Sequence, residues 1–139
     1  MGAYDSDGST KYLFPNLTVS ADVTRYIKGP KGKYGLLWDY GVQAITTTFA
    51  GGTTTPKMKI GISGTLNKHG DAYDFGTAAA ADCTKSIRTA YTEVDAGWAT
   101  YMKNRNLDRD VQLIVTMVGA TGGGAAGVGD FFVEIKWAD

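Results

Sequence analysis

The chain reads as a series of strand-like alternations separated by turns. Leu17, Val19, Ala21 and Val23 alternate with Thr18, Ser20, Asp22 and Thr24. A period of two turns one side of a strand toward a core and the other toward solvent. Residues 36–50 (LLWDYGVQAITTTFA) combine aromatic, β-branched and threonine side chains, a composition suited to a pleated surface. Their apolar parity runs through Trp38, Tyr40 and Val42, then shifts to Ile45 and Phe49. A slip of one residue predicts a bulge near Gln43–Ala44. Met58, Ile60 and Ile62 alternate with Lys57, Lys59 and Gly61 and predict a further strand. Leu66–Gly70 reads as a polar turn, with a short apolar segment around Tyr73 and Phe75 after it.

The helical pattern lies between Thr84 and Asn104. Ile87, Ala90, Tyr91, Val94, Trp98, Tyr101 and Met102 fall on one face at helical spacing. Gly97 weakens that helix by roughly 1 kcal/mol relative to Ala, so it can start as late as Asp95, an N-cap residue type. Two strands close the chain. Val111, Leu113, Val115 and Met117 share one parity of the first, and Phe131, Val133, Ile135 and Trp137 one parity of the second, opposed there by Glu134 and Lys136. The Gly/Ala/Thr-rich segment Gly119–Asp130 is expected to join them as the loop of an antiparallel hairpin. Residues 1–16 are polar and turn-rich and are expected to form an arm or irregular lead-in. Residues 17–139 are expected to form a single β-sandwich domain. Lys28-Gly29-Pro30-Lys31-Gly32-Lys33 reads as a basic loop. Many short strands with long connections predict a mainly β protein, a β-sandwich of jelly-roll type with one short helix.

Composition narrows the chemistry. The 139 residues suit one domain. The charge is balanced, with 14 Lys+Arg against 14 Asp+Glu, which argues against a nucleic-acid-binding protein of the usual highly basic kind. With one histidine, His69, and one cysteine, Cys83, a single chain cannot assemble a His₂ or a multi-Cys metal site or an intrachain disulfide. Cys83 is expected to be a packed thiol and His69 a polar turn residue beside Gly70. No apolar run is long enough for a membrane span. The start, MGAYDSDG, lacks the features of a secretory signal. It fits a loose myristoylation pattern, but Asp5 and Asp7 oppose docking on an anionic membrane. Asn16-Leu17-Thr18 is a sequon that stays idle without secretion.

Other motifs fail their physical requirements. Gly122-x-Gly124-x-x-Gly127 follows a strand, but a dinucleotide site needs a helix to begin there, and the period-two segment after Asp130 predicts a strand. Asp5-x-Asp7 resembles the head of a calcium loop, yet Thr10 and Asn16 stand where Gly and Glu are required. Asp71/Asp74 and Asp108/Asp110 are carboxylate pairs with no nucleophile nearby, and are expected to be turn residues. The many aromatics are expected mainly in the core and in cross-strand pairs. No catalytic, cofactor-binding or metal residue is expected.

The segment NLDRDVQLIVTMVGATGGGAAGVGDFFVEIKWAD has an alternating strand, a Gly/Ala/Thr loop and a second alternating strand. KMKIGISGTLNKHGDAYDFG before it adds a strand, a turn and a Tyr/Phe pair. Together they resemble the jelly-roll decoration, or cement, proteins on the heads of tailed bacteriophages. The resemblance implies a non-enzymatic virion protein, made in the host cytoplasm and seated on the major capsid protein lattice, often as a trimer at local three-fold positions. It implies neither nucleic acid nor membrane as partner. The alternative is a carbohydrate-binding, lectin-like β-sandwich. An exposed aromatic platform would favour the lectin, and a self-complementary apolar patch with an ordered N-terminal arm the lattice protein.

Overall fold

The computed structural model describes residues 9–18, 21–49, 56–74, 84–90, 96–119 and 127–139. The strands are β1 (Ser9–Thr18), β2 (Val23–Lys28), β3 (Tyr34–Thr47), β4 (Lys57–Ile62), β5 (Thr65–Asp74), β6 (Thr84–Ser86), β7 (Asn106–Leu107), β8 (Gln112–Val118) and β9 (Val128–Ala138); the helical segments are α1 (Ile87–Ala90) and α2 (Ala96–Asn104). One sheet has the order β1-β9-β3-β6, with β7 also on β3, and the other the order β2-β8-β4-β5. Antiparallel pairs nest inside one another: β4 with β5, β3 with β6, β2 with β8, and β1 with β9. A long two-stranded ribbon rolled on itself gives this order, which is that of a jelly roll. The expected mainly β sandwich is therefore observed.

Between the sheets lies a core that includes Leu37, Tyr40, Phe49, Ile60, Leu113 and Ile135. It forms because successive strand residues point to opposite faces. On β8, Leu113, Val115 and Met117 are fully buried, and on β9, Phe131, Val133 and Ile135 are. The predicted bulge in β3 is present. The β3–β9 register slips between Gln43 and Thr47, and Ala44 sits at φ 48°.

Several expectations are corrected. Residues 9–16 are not an arm, because they form β1 with Leu17 and Thr18 against β9. Pro15 and the positive φ of Asn16 (54°) interrupt the alternation there, with a register slip between Phe14 and Leu17, so the pattern hides the strand. Residues 1–8 lie outside the described residues. The apparent strand 17–24 is two strand ends. The chain leaves one sheet at Thr18 and enters the other at Val23, where the Asp22 carboxylate accepts a hydrogen bond from Gly119 N at 2.9 Å. Leu66–Gly70 is part of β5 rather than a turn. The turn is Ser63–Gly64, and Ile62 pairs with Thr65 but Ile60 with Gly70, so residues between them bulge. The helical pattern from Thr84 starts as strand β6, turns once as α1 and continues as α2. Asp95, the expected cap, lies outside the described residues. Finally, β8 and β9 do not pair. They belong to different sheets, so the segment between them crosses the sandwich rather than closing a hairpin. Each has its own core-facing side, so the alternation is identical in either arrangement.

Candidate functional site

The two outer faces of the sandwich differ. On the β2-β8-β4-β5 sheet, β2 and β8 pair Tyr26 with Ile114, and β8 and β4 pair Ile114 with Gly61. All three stand on the side opposite the core. Adjacent rows carry Lys28 with Gln112, and Thr24 with Thr116 and Lys59. Tyr26 is 63% exposed, the largest value among the large apolar side chains described as exposed. The bulged start of β5 leans over Gly61: a Cβ added there would lie 2.2 Å from Thr65 O and 2.3 Å from Leu66 C. Between that bulge and Tyr26 is a groove of about 270 Å³ lined by Tyr26, Ser63, Gln112 and Ile114. Leu66, on the bulge, is also exposed.

This face carries the cations Lys28, Lys57 and Lys59. Neither Lys28 nor Lys59 has an ion-pair partner among the described residues. Lys57 stands opposite Asp74 in the β4–β5 register. Two carboxylates at the neighbouring end of the sandwich are engaged elsewhere. Asp108 lies 3.4 Å from Lys68, and Asp110 accepts from Gly32 N at 2.6 Å.

The other outer face is covered around Trp38, while at its β1 edge Leu13, opposite Phe132, is 44% exposed. Phe132 and Lys136 point away from the core on β9 yet are only 2% and 4% exposed. Lys136 Nζ lies 3.2 Å from the Trp38 ring centroid, and the Arg88 guanidinium lies 3.5 Å from it. Arg88 Nε donates to Trp38 O at 2.6 Å and its Nη2 to the Tyr101 hydroxyl at 3.2 Å. The Tyr101 hydroxyl in turn lies 2.9 Å from Leu37 O. Asp39 accepts from Arg88 N and Tyr40 N. Burial pushes the Asp39 carboxyl above its ordinary range, against the lowering effect of its bonds to Ser86, Arg88 and Tyr40. Burial likewise raises the Tyr101 hydroxyl. This cluster fastens α1 and α2 onto the β3 bulge at Trp38. Its polar groups are engaged with one another, which suits a clamp and leaves little for a ligand.

The residues singled out by sequence fall as follows. His69 is not a turn residue. It is 4% exposed in β5, with Nδ1 2.8 Å from Asn104 O at the end of α2. A carbonyl only accepts, so Nδ1 carries the hydrogen and the buried Nε2 has no partner. Burial holds the imidazole below its ordinary value, more than the Asn104 bond raises it. Cys83, Asp5 and Asp7 lie outside the described residues. Asp71 and Asp74 lie in β5 rather than in a turn; Asp110 does lie in the turn before β8, and Asp108 in the irregular segment between β7 and that turn. Lys31 is exposed in the basic loop, and Lys33 there pairs with Asp139. Strand β9 begins at Val128, one residue after Gly127, so no helix starts at the end of the glycine motif. Gly127 itself is pressed onto Phe49, 2.3 Å from a hypothetical Cβ. Among the described residues no group of three or more His, Cys, Asp or Glu could hold a metal, and no helix is long and apolar enough to cross a membrane.

The Tyr26 groove was missed by sequence reasoning. VTRYIK has a weak alternation, and Tyr26 gains meaning only beside Ile114 and Gly61, which the sheet order brings to it. No protein-family model, curated protein or solved structure matches the chain.

Proposed function

We propose that this protein is a capsid decoration protein of a tailed bacteriophage, seated on the major capsid protein lattice as a homo-oligomer, by preference a trimer, and stabilising the lattice without catalysis. The observation that carries this reading is the open outer face of β2, β8 and β4. It has an exposed tyrosine, a half-buried isoleucine and flanking lysines around a shallow groove. Such a face suits attachment by area and complementarity rather than by an enclosed ligand site. The jelly-roll order and the resemblance of residues 57–139 support the same reading. An oligomer places several such faces on a lattice at once, so individually weak contacts become a firm attachment.

The test is co-sedimentation of the full chain with undecorated capsids, alongside a native mass measurement. Saturable binding by an oligomer is expected. A strict monomer that ignores capsids overturns the proposal. One observation favours a second reading. Tyr26 stands beside the polar side chains Ser63 and Gln112, an arrangement that could stack and hydrogen-bond a sugar ring. Binding on a glycan array, lost in Tyr26→Ala, would select the carbohydrate-binding module instead.

A further inference from the structure

We infer that the Tyr26 groove receives an acidic, extended segment of a protein partner, with an apolar side chain seated between carboxylates. The inference rests on the attachment face proposed above and names the chemistry of what that face contacts.

The groove lies between two neighbouring rows of the sheet, Tyr26–Ile114–Gly61 and Lys28–Gln112, with Ser63 of the turn after β4 on its wall. Neighbouring strands are about 4.8 Å apart, so β2 and β4 stand roughly 9.6 Å apart across β8. That width admits one extended chain or one large side chain. The volume of about 270 Å³ agrees with a single inserted group. The apolar surface of the groove is the Tyr26 ring and the Ile114 side chain. An apolar side chain packs on Tyr26 and Ile114 together. Two lysines on a chain of balanced charge make a small footprint for a nucleic acid, and a neutral sugar would leave them unused, so an acidic protein segment suits this face best.

The cations set the rest of the pattern. Lys28 lies one row to one side of Tyr26, and Lys59 one row to the other side of Gly61. Same-face residues on a strand are about 6.8 Å apart, so the two rows are separated by roughly 13–14 Å along the strands. In an extended segment, side chains at i and i+4 on one face span about the same length. Carboxylates at those positions would meet Lys28 and Lys59 while the residue at i+2 enters the groove. Neither lysine has an ion-pair partner among the described residues, and the carboxylates of Asp108 and Asp110 are engaged by Lys68 and Gly32. The face therefore offers positive charge that its described neighbours do not neutralise. Opposite charge on a partner would speed encounter and fix register, and the apolar insertion would set the residence time.

The test uses the full-length protein and defined polymers: a random Glu/Tyr copolymer, poly-Glu, a random Lys/Tyr copolymer and heparin. Binding is followed by fluorescence anisotropy at low and high salt. The Glu/Tyr copolymer should bind, at least about tenfold more tightly than poly-Glu, and the Lys/Tyr copolymer should not. Raising ionic strength from about 0.05 to about 0.5 M should weaken binding strongly, because the exposed charges become screened. Tyr26→Ala and the double variant Lys28→Gln/Lys59→Gln should each lose at least about tenfold while keeping the wild-type melting temperature. Lys57→Gln should change little. Heparin binding with no copolymer binding would overturn the inference in favour of a sulfated polysaccharide. Equal binding of the Glu/Tyr and Lys/Tyr copolymers would also overturn it. The capsid experiment fails or succeeds separately. Salt-insensitive capsid attachment by the double lysine variant would leave the decoration proposal standing and remove this one. Copolymer binding as described, with no capsid binding, would do the reverse.

Discussion

Lys136 is the sharpest test of how the closing strand is buried. By alternation alone, Ile135 faces the core and Lys136 faces water, so truncating the lysine should cost little. Ile135 is fully buried, but Lys136 is 4% exposed, with its ammonium 3.2 Å from the Trp38 ring centroid. Lys136→Ala removes three methylenes beyond Cβ. At about 0.8 kcal/mol each they account for roughly 2.4 kcal/mol as an upper bound. The contact between the ammonium and the ring adds about 1–2 kcal/mol in a shielded site. Releasing the side chain returns about 1.5–2 kcal/mol of rotamer entropy. The expected net loss is about 2 kcal/mol, against about 2–5 kcal/mol for Ile135→Ala. Lys136→Met keeps most of the stem and loses the charge, so it should cost only about 1 kcal/mol. In a Trp38→Leu background that smaller cost should shrink further, because the partner is already gone. Urea denaturation with matched m-values is the assay. If Lys136→Ala stays within about 0.5 kcal/mol of wild type, the range of ordinary surface substitutions, the outer face of this sheet is not covered as described. If Lys136→Met costs as much as Lys136→Ala, the ring contact rather than the stem carries the whole effect.

Gly41→Ala should destabilise by roughly 1–3 kcal/mol or more, because its Cβ would lie 2.2 Å from Lys85 O and 2.5 Å from Ser86 Cα, and backbone cannot yield as a side chain can; a thermal melt checks it. Tyr101→Phe should cost about 1–3 kcal/mol by leaving Leu37 O and Arg88 without the hydroxyl, read by urea denaturation at constant pH. His69 makes stability pH-dependent. Its folded pKa lies below the ordinary 6.5 because of burial, so the unfolded chain takes up the proton first as pH falls below about 6.5. The contribution of neutral His69 is therefore present above that pH and is lost as pH falls toward the lower folded value. His69→Asn keeps a donor for Asn104 O and does not titrate, so the difference in melting temperature between wild type and variant should narrow as pH falls from about 7 to about 5; a pH-independent difference refutes it.

The elements legible in the sequence were those whose burial follows a uniform alternation. Met58 and Ile60 on β4, Leu113, Val115 and Met117 on β8, and Phe131, Val133 and Ile135 on β9 are all core residues. The slip near Gln43–Ala44 was legible because a bulge shifts parity and leaves a visible phase change. Parity says nothing about which strand lies beside which. A register set by long-range pairing is invisible to a local pattern, so β8 and β9 looked like a hairpin although the chain crosses between sheets. The same blindness hid β1, where Pro15 and Asn16 break the phase, and joined the end of β1 to the start of β2. At Thr84–Ser86 the helical spacing of Ile87 and the residues after it overlapped a short strand whose reason is tertiary. Ser86 sits opposite Gly41 in the β3–β6 register, where only a glycine leaves room.

The functional surfaces were less legible than the fold, for a related physical reason. A core position announces itself through the side chain it must carry, whereas an outer-face position is defined by its neighbours. Tyr26 looked like one aromatic among many. The sheet makes it distinct by placing Ile114 beside it and Gly61 one strand beyond. Lys136 looked like a solvated charge, and Trp38 at the β3 bulge makes it a shielded one. His69 looked like a turn residue because Asn-Lys-His-Gly is turn-like in composition. The β5 bulge carries those polar neighbours outward while His69 turns inward to Asn104 at the end of α2. In each case the deciding neighbour lies on a different strand or helix. For a jelly roll this is the rule rather than the exception, since its nested pairing brings β1 to β9 and β2 to β8. The surface such a fold offers a partner is assembled from both ends of the chain. A substitution on β8 should therefore disturb the Tyr26 groove as directly as one on β2, and Ile114→Ser is expected to weaken copolymer binding about as much as Tyr26→Ala, because both take away the apolar half of the contact without adding charge.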